Sequence, residues 1–155
     1  MTSANACLHV RLTQAVADAI TGATLSESVT ANRVYDTEQE LEDLKTLRCD
    51  VVMGDEDSEI GTRNSTQGDL HVDVALRQKV DRNNIDRLDA LRNLLQEIQE
   101  LLFQTPRLPN ATAACWQGCK VAAPYVPDHL RVQGQYTGIL RLTYRAYEGG
   151  GDDAD

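Results

Sequence analysis

Four cysteines, three histidines and one run of carboxylates are the residues of this chain with chemistry to offer. Cys115 and Cys119 are separated by three residues, a spacing outside the strong zinc signatures, and His9, His71 and His129 are scattered. The expectation is four free thiols, Cys7, Cys49, Cys115 and Cys119, with no metal site. Cys115 with His129 is the one conceivable thiolate–imidazole pair, but nothing in the sequence brings the two together. There is no Gly-x-Ser-x-Gly elbow and no glycine-rich phosphate loop opening a helix. Asp55, Glu56, Asp57 and Glu59 sit in a single polar run, and such runs are ordinarily solvated charge rather than tuned acid–base pairs. The residues therefore argue for no enzyme and no cofactor.

The formal net charge of −9 speaks against a general nucleic-acid binder, which needs clustered Lys and Arg to meet phosphates. It leaves open a surface past which DNA slides without sticking. No apolar run approaches the ~20 residues that span a bilayer, so no membrane is expected. The N-terminal stretch has no basic segment leading an unbroken apolar one, so synthesis in the cytoplasm is the expectation. On that expectation the acceptor patterns Asn64-Ser65-Thr66 and Asn110-Ala111-Thr112 carry no meaning.

The elements that must position these residues are organised around one stretch, Ile85 to Gln104. Leu88, Leu91, Leu94, Leu95, Ile98, Leu101 and Leu102 recur at three- and four-residue steps and form one stripe on a helix. The other side carries Arg87, Arg92, Asn93, Gln96, Glu97 and Glu100. Asn83 or Asn84 caps the first turn, Asp86 and Asp89 suit the positive end of the helix dipole, and Thr105-Pro106 stops it. A second amphipathic helix is predicted over 5–21, on Leu8, Leu12, Ala15, Val16, Ala19 and Ile20, with Gly22 at its end. Strands are predicted over 28–36, 47–54, 70–80, 115–121 and 138–147, with a short helix after the capping-box spacing of Thr37 and Glu40. Leu70, Val72, Val74 and Leu76 alternate with His71, Asp73, Ala75, Arg77 and Lys79, the pattern of a sheet packed on one face only.

Residues 55–67 are predicted to be an extended acidic loop, because only Ile60 in that stretch is strongly apolar. Residues 149–155, glycine and acid, are predicted to be a disordered tail. The 155 residues suffice for one domain, here 1–148. The class is α+β: a mixed or mainly antiparallel sheet packed on one face by the helices at 85–104 and 5–21. The strands at 70–80 and 138–147 are expected at its centre.

This layout resembles that of the tail terminator (tail completion) proteins of long-tailed bacteriophages. The resemblance is carried by the helix Asn5–Thr21, the strand reaching Val34-Tyr35-Asp36, the alternating strand Leu70–Val80, the helix Asp86–Gln104 and the closing strand Gly138-Ile139-Leu140-Arg141-Leu142-Thr143-Tyr144-Arg145. It implies a homo-oligomer, a hexameric ring on the end of the tail tube that stops tube subunits from adding and offers a surface to the head–tail connector. It also implies a place in the virion tail or neck, after synthesis in the host cytoplasm. DNA passes through such a ring without specific binding. The acidic run Asp55, Glu56, Asp57 and Glu59 then either lines the channel, repelling phosphates, or reaches the tube or connector. His71, Asp73, Arg77, Lys79, Arg141 and Arg145 are the candidate subunit interface, or else simply face solvent; exposed ion pairs contribute only ~0–1 kcal/mol each. A head-completion or connector adaptor of the same particle is the neighbouring reading. An acidic DNA mimic that inhibits a host enzyme is a further one, motivated by the net charge but not by any regular array of acids.

Overall fold

The leucine stripe decides where the long helix lies. In the computed structural model, which describes residues 6–35, 45–62, 65–123 and 127–149, helix α2 spans Ile85–Gln104, as its periodicity predicts. Leu91, Leu94, Leu95, Ile98 and Leu102 are fully buried along it. The Asn84 side chain accepts from the Arg87 backbone N–H at 3.3 Å, supplying a partner to a donor that the first turn leaves open. Helix α1 spans Leu8–Thr21 and buries Leu12, Val16 and Ile20 completely. Gly22 ends it, its N–H donating to the Asp18 carbonyl at 3.0 Å.

The strands are β1 (Ala31–Val34), β2 (Arg48–Thr62), β3 (Ser65–Lys79), β4 (Ala114–Ala122) and β5 (Gln135–Gly149). They form one sheet in the order β1-β2-β3-β5-β4. β1 runs parallel to β2 and every other pairing is antiparallel, so the sheet is mixed and the chain α+β. The strands at 70–80 and 138–147 do form its centre, as β3 and β5. Helix α1 lies over β1 and β2, and α2 over β5 and β4. Both pack on the same face, sharing one apolar cluster with Val51, Val72, Val74, Leu76, Leu140, Leu142 and Tyr144. Truncating any of these fully buried leucines to alanine costs about 2–5 kcal/mol through lost burial and the cavity left behind. Polar ties fix the helices further: Arg87 pairs with Glu27, and the Ser26 N–H donates to Glu97 at 2.7 Å.

Two expectations need correction. The stretch 55–67 is not an open loop: β2 and β3 pair as a hairpin from Arg48↔Arg77 out to Thr62↔Ser65, and β5 follows alongside as far as Gly149↔Ser65. Hydrophobic alternation reports a strand only where one face is covered; here the ladder itself satisfies the backbone, and polar side chains do not oppose it. The second concerns the polar side of β3. It is not charged and open throughout, because Ala75 and Arg77 are buried on it. The helix predicted after Thr37 and the tail beyond Gly149 fall outside the described residues.

The prolines at 124 and 127 precede a five-residue π-helical turn, His129–Gln133. Gly134 closes it at φ +63°, in the left-handed region that favours glycine, and its carbonyl accepts from the Val80 N–H at 2.7 Å. Among the described residues no helix is long and apolar enough to cross a membrane.

Candidate functional site

The face of the sheet opposite α1 and α2 holds most of the polar residues singled out in the sequence. Side chains alternate along a strand, so odd-numbered residues of β3 and β5 share this face. The β3–β5 register sets Asp69 opposite Arg145, His71 opposite Thr143, Asp73 opposite Arg141, and Arg77 opposite Thr137. Two bidentate pairs result. Arg141 donates to Asp73 at 3.0 and 3.3 Å, and Arg145 donates to Asp69 at 2.9 and 3.4 Å. The hydrogen bond from Arg145 holds the Asp69 carboxyl below the usual carboxylate range, against a smaller opposing effect of burial.

His71 lies between these pairs. Its Nδ1 is 3.1 Å from the Thr143 hydroxyl and its Nε2 is 3.7 Å from the Asp57 carboxylate. A shallow cleft of about 240 Å³ opens there, lined by Gly54, Asp55, Asp57, His71, Asp73 and Arg141. Its floor exists because β2 carries a bulge: the register shifts between Met53 and Glu56, leaving His71 without a partner on β2. A Cβ at Gly54 would come within 3.0 Å of the His71 carbonyl oxygen, so the glycine permits the approach. That carbonyl accepts instead from His9 Nε2 of α1 at 2.9 Å, and because a carbonyl only accepts, the proton sits on Nε2. His9 Nδ1 faces Glu56 at 3.5 Å.

The four acids of the predicted loop are thus not gathered on one surface. Asp57 is exposed on the outer face and Asp55 sits in the bulge beside it. Glu56 is opposite Leu70 and turns toward α1, and Glu59 occupies the register position opposite Gln67. Of the six interface candidates, His71, Asp73, Arg141 and Arg145 cluster as described, while Lys79 is exposed at the end of β3. Arg77 is placed differently. It is buried and donates to Asp50 at 2.9 Å, and Arg48 donates to the other oxygen of the fully buried Asp50 at 3.0 Å.

Asp50, Asp69 and Lys120 belong to this face and were not singled out in the sequence, whereas Thr143 falls with Arg141 and Arg145 by the alternation of the closing strand. A signal for two of the partnerships was present: Asp69 and Asp73 are four apart, Arg141 and Arg145 are four apart, and antiparallel pairing matches them in reverse order.

The thiols do not assemble. Cys115 pairs with Arg145 on the outer face, whereas β5 begins at Gln135 directly after the turn carrying His129, ten residues or about 33 Å of strand away at ~3.3 Å per residue. Cys119 pairs with Leu142 on the helix side, so Cys115 and Cys119 lie on opposite faces and form no disulfide. Burial, and secondarily the adjacent Asp50, pushes the Cys49 thiol up to about 12. Burial likewise raises Cys119. Among the described residues no group of three or more His, Cys, Asp or Glu is arranged to hold a metal ion.

The fold is an α+β layer whose outer surface is ion-paired and carries the Thr143 hydroxyl, the His71 imidazole and the Asp57 carboxylate in a row. No family model matches the chain, and no curated protein matches it. Among solved structures it is similar to the sheath/tube terminator of an extracellular contractile injection system, PVC, in its extended state. The identity is 11% and the TM-score 0.45, over 98% of this chain and 60% of that chain. The chain therefore spans less than two thirds of that protein's length.

Proposed function

We propose that this chain is a tail terminator: a structural protein that assembles as a ring, hexameric in the first instance, on the end of a tail tube. The ring stops further tube subunits from adding and offers its exposed side to the head–tail connector. The observation that carries this reading is the sheet's polar outer face. The inner face is filled by α1 and α2. The outer face, although buried around Asp50, Ala75, Arg77 and Thr137 at one end, exposes Asp57 and Arg141 beside half-buried His71 and Arg145 at the other. A surface of paired acids and bases is suited to fixing the register of neighbouring protein copies. The layout of the chain, with its resemblance to tail terminators, supports the same reading. DNA would pass such a ring unbound, in keeping with a net charge of −9.

Native mass spectrometry of the purified full chain, alone and with isolated tail tubes, tests the proposal. A discrete ring, or specific decoration of tube ends visible by electron microscopy, is the expected result. A strict monomer that leaves tube ends bare and tube growth unchecked would sink it.

A further inference from the structure

Among the described residues the sheet has two open sides, and they differ. On one side β1 covers β2 only from Cys49 to Val52, so among the described residues the backbone of β2 from Met53 onward borders no further strand there. On the other side β4 borders only β5. The start of β4 is tied down, the Trp116 N–H donating to the Pro106 carbonyl at 2.9 Å, but among the described residues no strand flanks 118–122. An open edge presents a row of N–H and C=O groups able to template another strand, a row that the bulge between Met53 and Glu56 interrupts on β2.

Strand direction and charge together select the partner. β2, β3, β5 and β4 alternate in direction, so β2 and β4 run oppositely. Copies set side by side around an axis along the strands therefore bring β4 of one against β2 of the next in antiparallel sense, the ladder already used within the molecule. The β2 side carries exposed Asp55 and Asp57 on the outer face, whereas the β4 side carries exposed Lys120, with Arg141 beside it on β5. Two β2 edges meeting each other would set these acids against their own kind, which is destabilising. Acid against base is satisfied only head to tail. Gly118 adds room: a Cβ built there meets nothing within 4 Å, so packing within the molecule does not demand the glycine, and its absent side chain leaves space for a neighbouring backbone.

We infer that residues 118–122 of β4 add antiparallel to the open edge of β2, residues 53–57, in the next copy, with Lys120 facing Asp55 and Asp57. The inference rests on the ring reading and specifies its joint. Such a contact is heterologous, so it never completes in a dimer; it closes into a ring or runs on as a filament.

The test uses full-length protein, alone and with tail tubes, in three forms: wild type, Lys120→Glu, and the double variant Asp55→Lys/Asp57→Lys. Circular dichroism and thermal melting check that each folds, and all three positions are exposed. Each variant alone carries like charges on both edges, and its self-association should weaken about tenfold or more. Mixing the two variants restores opposite charges at every joint, so assembly should return with strictly alternating, even-numbered rings. Carbodiimide treatment of mixed isotope-labelled wild type should link Lys120 to Asp55 or Asp57 between copies. Unchanged assembly of both variants, no rescue on mixing, or a link within a symmetric dimer overturns the inference and leaves the ring reading standing. A wild type that neither assembles nor binds tube ends overturns both.

Discussion

Replacing Arg77 with methionine separates the two roles that sequence and structure give this residue. Read from the alternation of β3, Arg77 is a candidate contact between subunits. In the structure it is 5% exposed and serves Asp50, which is completely buried. Methionine keeps the aliphatic stem and removes the bond at 2.9 Å, leaving Asp50 with Arg48 alone, a guanidinium whose side chain is 30% exposed. Breaking a buried pair by deleting one partner costs about 3–5 kcal/mol, because the remaining charge is stranded. Two features reduce that here. Arg48 still shares the charge, and the Arg77 Nε has no hydrogen-bond partner, so its removal relieves one unsatisfied buried donor. The expected loss is therefore about 2–4 kcal/mol, or a fall in Tm of about 5–15 °C for a chain of this size. Urea unfolding of the monomeric protein measures it. Adding Asp50→Leu should recover most of the loss, since replacing both charges with apolar groups is often neutral. A loss below about 1 kcal/mol together with abolished assembly would refute the reasoning and return Arg77 to the subunit contact.

Three further outcomes follow from the geometry. Cys49, buried and with its thiol raised to about 12, should resist alkylation in the folded protein at pH 8 while exposed Cys7 reacts; mass spectrometry after timed iodoacetamide treatment reads the difference. Because Asp69 has a folded pKa below its ordinary value of 3.8, its contribution is present above that value and lost as pH falls through the folded one. Urea midpoints at pH 6 and pH 3 should accordingly lie closer together in Asp69→Asn than in the wild type. Gly54→Ala pushes a methyl against backbone atoms of His71 at 3.0–3.2 Å that cannot swing aside, and should cost about 1–3 kcal/mol in thermal unfolding.

The helices were legible because their signals are local. Seven apolar residues at helical spacing, an asparagine cap and Thr105-Pro106 bound α2 to the residue. The alternation of Leu70 to Leu76 likewise gave the face of β3, since one side of that strand is packed against α1 and α2. The extension of β2 and β3 past Asp55 was illegible for the converse reason. A ladder of backbone bonds leaves no apolar period in the sequence, and a run of acids then resembles a loop. The partners on the outer face needed register as well as pattern. Asp50 meets Arg77 across 27 residues, and Asp73 meets Arg141 across 68, separations that only a fixed strand pairing converts into contact. The bulge at Gly54 then divides the acids between faces, which no count of charges anticipates.

That bulge has a mechanical side. Where β2 swings aside, an imidazole from the first helix plugs the gap and grips a carbonyl of the central strand. The helix is thereby pinned at one point along the sheet and cannot slide by a turn without giving up that grip. Just beyond the pin, β2, β3 and β5 continue outward side by side, out to Thr62, Ser65 and Gly149.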